Sequence, residues 1–223
     1  MWPRSIPQAQ PLVLNRQLRL AATEAAPRLT EQRLVWLLFV AALLLRVLFL
    51  ETAPNSVTAD ELDFAGNALA VMAGQGPGLF GLDWTPEPAL GLHFMVGSWV
   101  LFGQTLFAER LVAAVLTALA VFPFDALLRR LVSTRSAVLA TTLFIASRWL
   151  LLFARSGWNN GYVVLFLLLA AWSLTLALER AQTRYWLAFG ASLALLLYGY
   201  FAGRAVVVAF AVYLVVRGME RWR

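Results

Sequence analysis

Cysteine and lysine are absent from this chain of 223 residues, and the sequence contains a single histidine, His93. The lack of cysteine excludes disulfides and thiolate metal sites, and one histidine cannot form a histidine cluster around a metal. All 18 basic residues are therefore arginines, a bias that we attribute to genomic base composition. The arginines stand at the ends of apolar runs and form no single basic patch, so the net charge of +6 does not indicate a nucleic-acid partner.

Charged residues are also scarce. They make up 13% of the chain, against 61% hydrophobic residues, and the mean hydropathy is +0.73. A soluble domain contains about 45–50% apolar residues. Apolar runs of about 18 residues recur, each closed by arginines, which is typical of membrane spans. We therefore predict an all-α integral membrane protein with about six transmembrane helices; a soluble helical bundle is the alternative.

Six apolar segments define the predicted organisation. They cover 34–50, 111–128, 137–154, 162–178, 185–202 and 205–216. Residues 1–33 are polar, with several arginines and prolines, and are predicted to form a cytoplasmic tail. The membrane domain is predicted to cover 34–217, and 218–223 to form a cytoplasmic end. The last apolar segment is too short to cross a bilayer unless it extends past Arg204.

The segment 51–109 carries seven acids and no arginine, so it is predicted to be a long loop on the outer side of the membrane, containing surface-lying amphipathic helices. Within it, 88–107 is apolar enough to span. If 88–107 does not cross, 13 arginines fall on the cytoplasmic side and 3 on the outer side, and if it crosses the division is 8 against 8. Cytoplasmic loops carry the excess of basic residues, so we predict that 88–107 lies at the surface. Asp60, the 155–160 turn and Arg204 then share the outer face.

Two neighbouring acids in this loop, Asp60 and Glu61, are the strongest candidates for catalytic residues. The run from Thr58 to Glu61 fits a capping box, and a helix over about 59–73 would be amphipathic and lie along the membrane surface. Capping alone explains Glu61, since acids favour a helix N-terminus. It does not explain Asp60, an aspartate at the membrane surface that could accept a proton from an acceptor hydroxyl as a general base.

Three arginines are candidates for binding a phosphate. Arg155 begins an Arg-Ser-Gly-Trp-Asn-Asn turn on the predicted outer side, where arginines are few, and an ordinary snorkelling arginine is the alternative. Arg204 closes a Tyr-Gly-Tyr-Phe-Ala-Gly-Arg segment at the outer end of another span, and an aromatic belt with a terminal anchor is the alternative. Arg148 lies two helical turns below Arg155 and is predicted to line the same cavity.

The outer loop also contains candidates for contacts with substrate. Glu87 lies between Pro86 and Pro88, which fix the backbone around it, and Trp84 suits an interfacial depth. Ordinary loop structure is the alternative for both. Together with His93, they form the predicted substrate loop.

The order of these features resembles the N-terminal part of the bacterial membrane C-type glycosyltransferases, in particular the family-39 group that includes protein O-mannosyltransferases and the aminoarabinose transferase of lipid A. The resemblance covers about 34–217. It is carried by Asp60-Glu61, Ala108-Glu109-Arg110, Arg129-Arg130-Leu131, Arg155-Ser156-Gly157-Trp158-Asn159 and Tyr198-Gly199-Tyr200-Phe201-Ala202-Gly203-Arg204.

The resemblance implies inverting transfer of a sugar from a polyprenyl-phosphate donor at the outer face of a bacterial plasma (inner) membrane, in a multi-pass protein whose N-terminus is cytoplasmic. It implies that Asp60 is the base, that Glu61 supports it or contacts the acceptor, and that neither a metal nor another cofactor is needed. Relatives carry a donor-binding lysine near the position of Glu87. This chain has none, so phosphate binding falls to the three arginines named above. The acceptor stays open between a protein, a lipid and a glycan.

Members of this family carry more spans, so we expect the chain to hold an incomplete domain. Two other interpretations stay open. A transporter or flippase for a lipid or a polar solute also carries charges within its spans, such as Arg148, although the fourth and fifth spans are nearly free of charge. A noncatalytic, truncated membrane subunit would need a partner chain to complete its cavity.

Overall fold

A computed structural model of the protein describes residues 29–82 and 88–221. These residues form ten α-helices, one 3₁₀ helix and one isolated β-bridge. The α-helices are Leu29–Val47 (α1), Ala59–Met72 (α2), Leu90–Phe102 (α3), Leu106–Leu119 (α4), Val121–Leu131 (α5), Thr134–Ala146 (α6), Arg148–Ala154 (α7), Tyr162–Arg180 (α8), Thr183–Gly199 (α9) and Gly203–Arg221 (α10). The predicted all-α membrane fold is confirmed.

The chain divides into two compact units, residues 1–34 and 35–223. In the first unit the structure describes only the first residues of α1, so the predicted cytoplasmic tail lies almost wholly outside the described residues. The second unit holds the remainder of α1 and helices α2 to α10. Most of the predicted cytoplasmic end belongs to α10, which continues to Arg221.

Two helical stretches within the described residues are long and apolar enough to cross a membrane. They are Leu106–Leu131, which joins α4 to α5, and Asn159–Arg180, which includes α8. A third candidate is the pair Thr134–Ala146 and Arg148–Ala154, which meets the same test but is bent by 53°. Length and composition therefore do not confirm the predicted count of about six spans.

The core of the second unit lies between α4, α8 and α9. Buried Ala113 of α4 packs with Tyr162 and Phe166 of α8 and with Phe189 and Leu196 of α9. A small residue at such a contact lets helix backbones approach closely, which is the usual packing of helices in membranes. Many large apolar side chains remain exposed on the surface of the helices, as expected where lipid replaces water around them.

Charged residues pair locally at one end of the bundle. Buried Asp125 accepts a hydrogen bond from Arg129 Nε at 2.5 Å, at the i and i+4 spacing that brings two side chains together on a helix. Arg130 forms an ion pair with Glu179 near the end of α8. The C-terminal ends of α5 and α8 therefore lie side by side at this end.

The opposite end of the bundle, which we call the loop end, is formed by the segments 51–58, 155–161 and 200–202. Trp158 and Tyr200 pack edge to face there, with their ring centroids 5.5 Å apart. The turn between α7 and α8 therefore lies beside the turn between α9 and α10.

Helix α3 lies across the loop end. Near its start, a Cβ added to Gly91 would lie 2.9 Å from Cβ of Asn159 in the turn before α8. Two turns later, Ser98 Oγ donates a hydrogen bond to the carbonyl of Ala108 in the first turn of α4 at 2.6 Å. The start of α3 thus contacts the loop end, and its second half contacts the first turn of α4 beside it. With 13 residues, the helix has a length of about 20 Å, short of the ~30 Å thickness of a bilayer core.

Gly203→Ala is expected to destabilise the junction between α9 and α10. An added Cβ would overlap the carbonyl oxygen of Leu196 and lie 2.8 Å from its carbonyl carbon, and this main-chain group cannot rotate away. We expect a loss of roughly 1–3 kcal/mol in unfolding free energy, seen as a lower thermal midpoint in detergent. Gly190→Ala is the matched control, because nothing lies within 4 Å of its added Cβ. An equal midpoint for both variants would contradict the prediction.

Candidate functional site

The two neighbouring acids of α2 have different surroundings. The predicted capping box is present: Thr58 Oγ1 accepts a hydrogen bond from the Glu61 amide at 3.3 Å, and Glu61 Oε2 accepts one from the Thr58 amide at 3.1 Å. The helix that follows, Ala59–Met72, matches the predicted 59–73 closely. Glu61 is fully buried, whereas Asp60 is exposed at the loop end.

Glu61 forms a buried ion pair with Arg110 of α4. Arg110 Nε lies 2.9 Å from Glu61 Oε1, and neither side chain is exposed to solvent. The same Oε1 accepts a hydrogen bond from the Gly157 amide at 2.6 Å. One carboxylate thus connects α2, the start of α4 and the turn after α7.

The guanidinium of Arg110 is fully occupied. Besides its two bonds to Glu61, it donates to the carbonyls of Leu50, Pro54 and Ser56, each at 3.0 Å. These five hydrogen bonds use all five N–H groups of an arginine. Burying two charges is stabilising only when such bonds compensate their lost hydration. Arg110 therefore holds the segment between α1 and α2 in place, and with it the first turn of α2.

A second carboxylate, Glu109, closes the other side of the same turn. A Cβ added to Gly157 would overlap the Glu109 side chain, lying 2.8 Å from its carboxyl carbon. Glu109 Oε1 is buried and accepts no hydrogen bond from the described residues. Only glycine leaves room at position 157 for this close approach between the turn and α4.

Arg155 caps the C-terminal end of α1. Its Nη1 donates to the carbonyl of Leu45 at 2.7 Å, its Nη2 to the carbonyl of Leu48 at 2.8 Å, and its Nε to the carbonyl of Ala53 at 3.0 Å. The last carbonyls of a helix lack partners within the helix and carry partial negative charge. Partial burial and then the positive charge of nearby Arg110 lower the pKa of Arg155, a group that stays protonated in proteins.

This geometry argues against Arg155 as a ligand for a donor phosphate. All three of its nitrogens are committed to main-chain carbonyls. Arg155 was a candidate because it lies on the predicted outer side, where arginines are few. Its capping of the end of α1 explains that position. It is not an ordinary snorkelling arginine either, because its contacts reach across to α1.

The remaining predicted residues lie in separate places. Arg204 is exposed in the first turn of α10 at the loop end. Arg148 is exposed at the bend between α6 and α7, about 10 Å along α7 from Arg155. His93 is half-buried in α3, and its Nδ1 lies 2.9 Å from the carbonyl of Ala89 in the preceding turn. The other two members of the predicted substrate loop, at positions 84 and 87, lie outside the described residues.

An apolar cavity of about 510 Å³ opens beside α8 and reaches the loop end. Its wall is mainly aliphatic and aromatic. The lining residues are Phe124, Phe144, Trp149, Phe153, Trp158, Asn160, Gly161, Val163, Val164, Leu167, Leu168, Tyr200 and Ala202. From Gly161 to Leu168 the cavity follows α8 for about 10 Å. The cavity is therefore apolar along α8 and has polar side chains among its residues at the loop end.

A comparison with protein-family models identifies the chain. Residues 87–223, more than half of the sequence, match the model of the dolichyl-phosphate-mannose-protein mannosyltransferases. The chain belongs to this family. Searches of curated proteins and of solved structures found no match. The matched segment includes the cavity, Arg148, Arg155 and Arg204, whereas Asp60 and Glu61 precede it.

Membership in the family makes this a multi-pass membrane protein and supports glycosyltransferase activity of the membrane C type. It also implies a lipid-linked sugar donor. Within residues 29–82 and 88–221, no three histidine, aspartate or glutamate side chains form a group that could hold a metal ion.

Two parts of the site were not predicted from the sequence. The buried ion pair of Arg110 is not apparent from the sequence, because its partner Glu61 lies 49 positions away. The apolar cavity along α8 is not apparent from the sequence either, because its aromatic residues come from three helices and two turns. The Ala-Glu-Arg motif at the start of α4 was the one available signal for the buried pair.

Proposed function

We propose that this protein transfers a sugar, with inversion, from a polyprenyl-phosphate donor to an acceptor hydroxyl at the outer face of a bacterial plasma membrane. The observation that carries the proposal is the position of the cavity. It reaches the loop end, where Trp158 and Tyr200 line it, and the carboxylate of Asp60 is exposed at the same end. A lipid chain in the cavity would therefore present its phosphate and sugar to the region of Asp60.

The exposed carboxylate of Asp60 is suited to act as the base. It makes no hydrogen bond or ion pair with the described residues, so it is available to an acceptor. In the proposed step, Asp60 takes the proton of the acceptor hydroxyl while the oxygen of that hydroxyl forms a bond to the anomeric carbon. The bond from that carbon to the phosphate oxygen breaks on the opposite side, and polyprenyl phosphate leaves with the electron pair.

We assign Glu61 to positioning. A carboxylate that accepts bonds from Arg110, Thr58 and Gly157 inside the protein has no free path to an acceptor. It fixes Asp60, its neighbour in the first turn of α2, relative to the turn that borders the cavity. The buried Glu61–Arg110 ion pair thus fixes the position of the proposed base relative to the proposed donor site.

Arg204 and Arg148 remain the candidates for the donor phosphate. Arg204 follows closely after Ala202, which lines the cavity, and Arg148 precedes Trp149, which lines it as well. A cation near the bond that breaks would stabilise the negative charge of the departing phosphate. Arg204 is the stronger candidate, because it lies at the loop end.

The proposal needs the 88–107 stretch to stay on the outer side, and the course of α3 supports this. Since α3 lies across the loop end, it leaves the start of α4 beside α2 and the 155–158 turn. The acceptor stays open between a protein, a lipid and a glycan. The family description names mannose and a protein acceptor, so a mannosyl donor is the first probe to use.

Filling the cavity should prevent donor binding. Leu168→Trp places an indole ring in the apolar part of the cavity, and we expect it to remove most of the labelling by a photoactivatable polyprenyl phosphate in nanodiscs. Leu139→Trp is the control, because Leu139 is 63% exposed on α6 and does not line the cavity. Equal labelling of both variants would contradict the proposed donor site.

A second measurement separates transfer from transport. Incubating the wild type with mannosyl phosphoryl polyprenol and membrane acceptors should release polyprenyl phosphate. A transporter or flippase would bind the lipid and be labelled by it, but would release no polyprenyl phosphate from the mannosyl donor.

A further inference from the structure

The turn between α8 and α9 brings two arginines together. It consists of Ala181 and Gln182, and Ala181 adopts the left-handed backbone conformation, with φ of 52°. A single left-handed residue commonly ends a helix and reverses the chain within a short turn. As a result, Arg180 in the last turn of α8 and Arg184 in the first turn of α9 lie beside the same aromatic ring, that of Tyr185.

Both guanidinium groups bond to one phenol oxygen. Arg180 Nη1 donates to Tyr185 Oη at 2.7 Å, and Arg184 Nη2 donates to the same oxygen at 3.2 Å. The Cζ atoms of the two arginines lie 5.5 Å and 4.8 Å from the centroid of the Tyr185 ring, within the range of cation–π attraction. Because both donor nitrogens are bonded to one oxygen, they are held within about 6 Å of each other, where like charges repel.

Neither arginine forms an ion pair within the described residues. The acid next to Arg180 in the sequence, Glu179, pairs instead with Arg130 of α5. Arg130 also packs on the ring of Trp172, with its Cζ 4.7 Å from the ring centroid, so this acid is turned towards α5. Two guanidinium groups held together without a carboxylate are suited to bind an anion.

The donors that remain at this site match a phosphate group. Tyr185 Oη accepts bonds from both arginines, and its own O–H donates to none of the described residues. Arginine carries five N–H donors and no acceptor, so each guanidinium also keeps N–H groups that the phenol does not use. Three side chains thus offer donors to one region, and the oxygens of an ionised phosphate offer only acceptors.

The site lies at the depth of lipid headgroups. Arg180 is the last residue of Asn159–Arg180, a stretch long and apolar enough to cross a membrane. The residues after Tyr185, Trp186 and Leu187, are 40% and 69% exposed, and tryptophan at the end of a span is typical of the membrane–water interface. Exposed cations beside exposed apolar side chains favour the phosphate of a phospholipid over a soluble phosphate.

We propose that Arg180, Arg184 and Tyr185 bind the headgroup phosphate of an anionic phospholipid in the leaflet opposite the loop end. That leaflet is the cytoplasmic one in the topology predicted from the arginines, and its anionic lipids attract basic residues near the membrane surface. The positive-inside rule accounts for arginines at this end of the bundle, but it does not require two of them to bond to one oxygen. The inference is independent of the proposed donor cavity.

The test measures phospholipid binding to the detergent-solubilised protein by native mass spectrometry. Arg180→Gln and Arg184→Gln together are expected to weaken the binding of phosphatidylglycerol about 25-fold, since one arginine near an anionic lipid surface contributes about five-fold. Binding of phosphatidylcholine should change little, because its cationic headgroup already opposes binding to the arginines. The matched control combines Arg135→Gln with Arg217→Gln, which removes the same charge from exposed arginines at the same end of the bundle. We expect this control to bind like the wild type.

Tyr185→Phe separates a defined site from a general attraction to basic residues. It keeps the ring and the net charge but removes the oxygen that joins the two arginines, so phosphatidylglycerol binding should fall about ten-fold. Wild-type binding by this variant, or an equal loss in the control pair, would overturn the inference. Inorganic phosphate at millimolar concentration should not displace the lipid. Displacement would show that the site takes a soluble phosphate, and the assignment to a phospholipid would fail. None of these outcomes depends on sugar transfer.

Discussion

Asp60→Asn is expected to reduce sugar transfer by about 100-fold to 10,000-fold, the usual contribution of a general base. The substitution keeps the size and position of the side chain but removes its ability to take the acceptor proton. Because Asp60 is exposed and makes no contact that an amide would lose, stability should change little. The measurement is the rate of polyprenyl-phosphate release from a mannosyl donor, alongside the thermal midpoint in detergent.

Asp63→Asn is the matched control for this substitution. Asp63 is an exposed aspartate one turn farther along α2, so it tests whether any loss of surface charge near the site slows transfer. We expect transfer close to the wild-type rate. An Asp60→Asn variant that transfers sugar as fast as this control would show that Asp60 is not the base.

Glu61→Gln is expected to cost roughly 3–5 kcal/mol in unfolding free energy, the range for breaking a buried ion pair from one side. The amide cannot balance the charge of Arg110, which would remain buried with its hydrogen bonds to three loop carbonyls. Glu61 also accepts a hydrogen bond from the Gly157 amide, so we expect the rate of sugar transfer to fall together with stability. The unfolding free energy can be measured by denaturant titration in bicelles.

The ion pair at the other end of the bundle provides the comparison. Arg130 and Glu179 are the same residue types, but the Glu179 side chain is 38% exposed. Exposed pairs contribute about 0–1 kcal/mol, so Glu179→Gln should have a small effect. Similar losses for the two variants would mean that the Glu61–Arg110 pair is not a buried structural link.

The correct predictions from the sequence concern residues close together in the chain. The capping box at Thr58 and the helix Ala59–Met72 depend on four neighbouring residues. Apolar runs closed by arginines indicate a membrane protein, because a bilayer sets the length of a span and the side on which basic residues remain.

The sequence by itself determined the class of fold, the family resemblance and the location of α2. Tertiary structure alone decided what the charged residues do. Arg155 looked like a phosphate ligand because its partner, the end of α1, lies more than 100 positions earlier in the chain. Likewise, Glu61 and Gly157 are 96 positions apart. Which donor meets which acceptor across such separations depends on how the helices pack, and local sequence patterns carry no information about that packing.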